Sequence, residues 1–125
     1  MRKSVRFLAF LILPAIIIAL FSGCKITPVI GGPVDHEKLI DGVYEGNYSG
    51  GPNKAFVKVT IKDKNIVEVQ IVRHDAWKGK KAEPIIIERI VAEQSTRVDA
   101  VTGATNSSNV IMNAVQKAIE GQNNK

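Results

Sequence analysis

The sequence predicts a small α+β fold: an antiparallel β-meander covered on one face by two helices. Three observations carry this reading. Residues 54–62 and 66–73 alternate apolar and polar side chains, the period of a half-buried strand. Val110, Ile111, Ala114, Val115, Ala118 and Ile119 recur at helical spacing and fall on one helix face. Clusters of turn-forming residues, Ser49-Gly50-Gly51-Pro52 and Asp63-Lys64-Asn65, separate the apolar runs. A chain of 125 residues holds one such domain and no more.

Taken in order, Val43 to Tyr48 reads as a first short strand. In the second, Lys54 to Lys62, Ala55, Val57, Val59 and Ile61 point to one face and Lys58, Thr60 and Lys62 to the other. In the third, Ile66 to Arg73, strict alternation turns Val67, Val69 and Ile71 inward. The segment from Glu83 to Glu93 has Pro84 in its first turn and a stripe of Ile86, Ile87, Ile90 and Val91, which predicts a helix. Its run of β-branched residues leaves a strand as the alternative. The last helix is expected over Ser107–Glu120 and is stopped by Gly121. A tail, 122–125, completes the chain.

The first 23 residues differ from the rest. Arg2, Lys3 and Arg6 precede fifteen uncharged residues, Phe7 to Phe21. A membrane-spanning helix needs about 20 apolar residues. The layout is therefore that of a secretory signal peptide, with an uncleaved anchor as the alternative. Phe21-Ser22-Gly23-Cys24 resembles the bacterial lipobox, in which the cysteine becomes the acylated first residue; Phe stands where Leu is usual. That resemblance implies a lipid anchor on Cys24, the only cysteine, against the alternative of an ordinary buried thiol. Residues 24–39, with Pro28, Gly31, Gly32 and Pro33, are expected to form a linker without regular structure, leaving 40–121 as the domain. The resulting location is extracytoplasmic, on the cell membrane or outer membrane. Loss of Arg2, Lys3 and Arg6 reduces the 17 Lys and Arg to 14, against 12 acidic residues. So small an excess argues against nucleic-acid binding.

The stretch from Val98 to Ser108 carries the chemistry. A short apolar strand is expected to end in a tight turn of small residues, Thr102-Gly103-Ala104, that runs directly into a helix. A helix N-terminus offers free N–H groups and partial positive charge to a phosphate. Thr105 places a hydroxyl there. The alternative reading is a plain N-cap by Asn106, Ser107 or Ser108.

Asp99-Ala100-Val101-Thr102-Gly103-Ala104-Thr105 resembles the flavinylation motif Asp-x-x-Ser/Thr-Gly-Ala-Thr of the FMN-binding domain family. This family includes the covalently flavinylated subunits of sodium-pumping NADH:quinone reductase and of the Rnf complex. Gln94-Ser95, Val98, Ser107-Ser108 and the opening Asp41-Gly42-Val43-Tyr44-Glu45-Gly46 extend the likeness over about residues 40–121. The resemblance implies covalent FMN, joined to Thr105 by a phosphoester. It also implies a flavin transferase that uses FAD and Mg²⁺, a membrane redox partner, and a role as an electron carrier more than as a stand-alone enzyme. The cofactor-binding residues it points to are Thr105, Asp99, Thr102, Gly103, Ala104, Ser107 and Ser108. Asp99 either braces the turn or takes part in the transfer.

The sequence departs from the family where many members have a Glu-Thr-Pro-Gly-like segment. Here His74-Asp75-Ala76-Trp77-Lys78-Gly79 stands instead. Trp77 either stacks on the flavin ring or packs over the sheet edge. His74 either tunes the flavin or is a surface loop histidine. Lys78, Lys80 and Lys81 either meet an acidic partner or the electron-rich edge of the flavin ring, or form a solvated face. The sequence has no Cys-x-x-Cys-His, no iron–sulfur cysteine set, no Walker loop and no Gly-x-Gly-x-x-Gly. The alternative function is a non-redox lipoprotein binding module.

Overall fold

The computed structural model describes residues 25–124. The expected signal peptide, 1–23, and Cys24 lie outside the described residues. The element order is β1 (Gly42–Gly50), β2 (Asn53–Lys62), β3 (Asn65–Asp75), α1 (Ala82–Glu93) and α2 (Thr105–Glu120). The strands form an antiparallel sheet in the order β1-β2-β3, and both helices pack on one face of it. This is the expected α+β class. Among these residues no helix is long and apolar enough to cross a membrane.

Strand β2 follows its sequence pattern. Ala55, Val57, Val59 and Ile61 are buried against the helices, and the side chains between them face outward. Strand β3 does not. Ile61 pairs with Ile66 but Thr60 pairs with Glu68, so Val67 is an extra residue. Val57 pairs with Ile71 but Phe56 pairs with Arg73, so Val72 is another. Each bulge reverses the facing of the residues after it. Ile66, Val69, Ile71 and His74 therefore turn inward, while Val67, expected inside, is 46% exposed. Period-two reasoning fails here because it assumes an unbroken ladder.

The β2–β3 turn places Asp63 and Lys64 in the left-handed region, with φ of 51° and 61°. The Asp41 carboxylate holds this turn by accepting from the amides of Asp63 (3.0 Å) and Lys64 (3.1 Å). Those two bonds, Lys64 first, lower the Asp41 pKa below the ordinary carboxylate value. The stabilisation is present above the unfolded-state value of about 4 and is lost as pH falls through the lowered folded value. Asp41→Asn is expected to lower the melting temperature at neutral pH. The gap to the parent should close in thermal melts once the pH has fallen through the lowered folded-state value and the carboxyl is protonated. A gap of constant size across that range would contradict this account.

Helix α1 forms, so the strand alternative is not taken. Ala82, Ile86 and Ile90 are buried, and Ile87 and Val91 pack beside them. Its last turn ends at Gln94 with φ of 50°. The Gln94 side chain bonds both the N–H and the C=O of Ile66, continuing the pairing at the edge of β3.

Helix α2 is buried on nearly all sides over Ser107–Val115. Its apolar face meets the sheet. Its other face carries Asn106, Asn109 and Asn113, and residues 25–32 run along this seam. Asn106 accepts from the Thr27 amide (3.0 Å), and Asn109 donates to the Thr27 carbonyl (2.8 Å). Asn113 accepts from the Ile30 amide (2.9 Å) and donates to the Pro28 carbonyl (2.8 Å). The segment expected to be a linker has little regular structure, yet it is a strap docked on the domain. Side-chain amides supply partners for backbone groups that have no ladder of their own. The expected tail also packs: Gln122 is buried and bonds the Ile40 amide and the Lys38 carbonyl.

Candidate functional site

Helix α2 begins at a turn whose shape is dictated by its sequence. The Ala104 amide bonds the Val101 carbonyl at 2.9 Å, closing a four-residue turn. Gly103 occupies the third position with φ of 79°. A positive φ there defines a type II turn and selects glycine. The short strand expected before it is absent: residues 97–101 have no ladder partners. Ser108 fixes the turn instead. Its hydroxyl accepts from the Val101 amide (3.1 Å) and donates to the Ala104 carbonyl (2.7 Å).

Thr105 is the first residue of α2, two positions before the expected start, and it is exposed. Ala104 precedes it as the cap and makes no side-chain capping bond. Neither Asn106, Ser107 nor Ser108 caps the helix. All three lie inside it, and Asn106 spends its amide on Thr27 and Gly50. The N-cap alternative therefore does not hold. The first turn carries no acidic side chain. The amides of its leading residues are left for an external acceptor, and the partial positive charge of the helix end is unopposed.

A cleft of about 230 Å³ opens on this helix end. Gly103, Ala104, Thr105 and Ser107 line one side, and Trp77, Lys78 and Gly79 line the other. Thr102, Asp99 and Ser108 do not line it. Thr102 is exposed on the turn, and Ser108 is buried behind it. Asp99 is exposed and its carboxylate bonds no described residue; only its carbonyl is engaged, by Arg89. It does not brace the turn. Lys81 completes the surroundings: a Cβ on Gly103 would lie 3.2 Å from its Nζ. An ammonium beside an open helix N-terminus is a fitting environment for a phosphate.

Trp77 is 93% exposed, so it does not pack over the sheet edge. Lys78 Nζ lies 5.5 Å from its ring centroid, and the residue lines the cleft. His74 is not a surface residue either. The second bulge turns it inward to 7% exposure, where its Nδ1–H donates to Glu83 Oε1 at 2.8 Å. Its Nε2 is buried without a partner among the described residues. The pair joins the end of β3 to the start of α1 and so fixes both ends of the 76–81 loop that bears Trp77, Lys78 and Lys81.

A second groove, about 620 Å³, adjoins the cleft. Its walls are the strap at Lys25–Pro28 and the β1–β2 hairpin at Tyr48–Asn53. Asn53 and Asn106 line both spaces. The larger volume falls within the range of small-molecule sites, about 300–1,000 Å³. Together they offer a polar, cationic end around Thr105 and a mostly apolar extension beside Ile26, Pro28, Tyr48 and Pro52. The sequence reading missed Asn53, Asn106 and the strap wall. The spacing of Asn106, Asn109 and Asn113 at i, i+3 and i+7 was a signal for a buried polar seam.

The sequence model of a family described as FMN-binding domain matches residues 49–120, which run from the end of β1 through α2. The chain is also similar to an uncharacterized protein of Treponema pallidum (strain Nichols), with 37% identity over 86 residues. The aligned part is 66% of this chain and 24% of that protein, so the chain spans about a quarter of that relative's length.

Proposed function

Because this chain belongs to the FMN-binding domain family, we propose that it is an extracytoplasmic electron-transfer protein whose FMN is joined to Thr105. One observation carries the covalent reading: the Thr105 hydroxyl stands exposed on an uncapped helix N-terminus, at the lip of the cleft. Attachment exchanges a phosphoanhydride for a phosphoester. The pyrophosphate bond of FAD breaks, the Thr105 oxygen bonds the flavin-side phosphorus, AMP leaves, and the hydroxyl proton passes to a base of the transferase. Mg²⁺ on that transferase offsets the charge of the leaving phosphate.

The residues present fit the group. The leading amides of α2 and Lys81 would hold the phosphate, and Gly103 would let it approach the backbone. Trp77 offers an aromatic face to the ring, and the groove beside Tyr48 and Pro52 offers apolar cover. FMN supplies one- and two-electron transfer; the protein supplies position and tuning. Asp99, exposed and unpaired, is available to the transferase during recognition. Cys24 acylation would confine the carrier to a membrane beside its redox partner and raise their effective concentration.

The test is the intact mass of the mature chain purified from cells that express an active flavin transferase. An increment of one FMN less one water is expected, and Thr105→Ala should lose it completely. No increment in the parent chain, with the transferase shown active on another substrate, would leave non-covalent FMN or a non-redox binding module.

A further inference from the structure

The strap and the cofactor cleft open on one rim. Lys25, Ile26 and Pro28 wall the larger groove, Asn53 and Asn106 line both spaces, and Trp77 and Lys78 close the far side of the cleft. The strap is held to α2 by the bonds from Asn106, Asn109 and Asn113. Lys25, the first described residue, therefore stands on the wall of the groove that adjoins the cleft.

The composition of this rim is specific. Lys25, Lys78, Lys80 and Lys81 are all exposed, and none forms an ion pair with a described residue. The neighbouring carboxylates are engaged elsewhere: Asp75 pairs with Arg73, and Glu83 with His74. Two bare apolar side chains stand on the same rim, Ile26 at 63% exposure next to Lys25 and Trp77 at 93% next to Lys78. Indole rings favour the headgroup layer of a bilayer, and lysine stems lie along apolar surface while their charged ends reach phosphate.

We propose that this rim rests on an anionic phospholipid surface, so that the cleft faces the membrane to which the chain is tethered. The inference relies on the membrane attachment proposed above but not on the flavin. A cofactor on Thr105 then meets partners embedded in the bilayer or lying along it, in preference to partners in bulk solution. The charge pattern also explains why the attachment point and the site share an end: a tether on the opposite end would hold the lysines away from the lipid.

Trp77 is the only tryptophan in the chain, so its emission reports on this rim alone. The full chain carrying Thr105→Ala, which removes any covalent flavin that would quench it, is reconstituted on phosphatidylcholine vesicles with and without phosphatidylglycerol. Flotation reports attachment; quenching by brominated lipid reports where Trp77 lies. The expected result is flotation on both, with quenching at least about twofold stronger on the anionic vesicles. High salt should relieve it, and so should Lys78→Glu with Lys80→Glu. A chain that floats while Trp77 stays as open to aqueous iodide as in detergent overturns the orientation and points to an acidic protein partner. A chain that floats on neither overturns the attachment as well. Since the variant cannot take flavin at Thr105, failure of the cofactor reading shows separately, in the mass of the parent chain.

Discussion

Gly46→Ala is expected to destabilise the domain severely. Gly46 lies on the buried face of β1, where α2 crosses the strand. A Cβ there would overlap the Ala114 carbonyl oxygen and the Ala118 amide nitrogen, and would stand 2.8 Å from Ala118 Cα. All three obstacles are backbone, so no rotamer change relieves them. Overpacking costs typically 1–3 kcal/mol where side chains can shift, and a rigid helix axis puts this site at about 3 kcal/mol or above. A small domain has only about 5–15 kcal/mol in all. Gly50→Ala, on the same face, meets side-chain atoms of Thr27 and Val110. It should cost less, chiefly by lifting the strap. Urea denaturation of the two variants should place Gly46→Ala well below Gly50→Ala in midpoint. A Gly46→Ala midpoint within error of the parent would mean that α2 does not sit where described.

Gly79→Ala is expected to abolish most flavin attachment while leaving the fold. A Cβ on Gly79 would overlap the Ser107 hydroxyl and Cβ. Ser107 lies in the first turn of a buried helix and cannot retreat, so the 76–81 loop must lift. Trp77, Lys78 and Lys81 leave with it, while the helix end and Thr105 stay in place. A misplacement of about 1 Å near reacting groups can cost on the order of 100-fold in rate. Covalent occupancy at limiting transferase should fall by about that order, read by intact mass, with the circular dichroism spectrum unchanged. Adding Ser107→Gly removes the obstructing atoms and should restore much of the occupancy. Full occupancy in Gly79→Ala alone would show that the loop is not needed for attachment.

The parts of the fold legible in the sequence are those whose pattern is set by one element alone. The alternation of β2 and the apolar face of α2 are fixed by strand and helix periods. So is Gly103, since only the turn's own geometry demands it. The illegible parts depend on a partner strand or a distant segment. The bulges at Val67 and Val72 exist only relative to β2, and they alone bring His74 to Glu83. Residues 25–32 look like a tether because Pro and Gly exclude regular structure. Their docking depends on asparagines some 80 positions later, where |i−j| for the bonds is 79, 82, 83 and 85. Trp77 gave the opposite signal from its position: large aromatic rings are usually covered, and this one is bare. The cap reading failed for the reverse reason. Asn106 has the chemistry of a cap, but the strap and Gly50 claim its amide.

The asparagine seam has a consequence for the order in which the molecule assembles. It joins the first described residues to the last helix, so closing it requires nearly the whole chain to be present. Loop closure over such separations is slow compared with hairpin formation. The β1–β2–β3 meander can pair locally as soon as its own residues have been synthesised. The strap wall of the larger groove comes into being only when α2 has emerged and docked. A chain caught part-way through synthesis therefore presents a sheet but no finished groove. Both walls around Asn106, and with them the setting of Thr105, belong to the final step of folding.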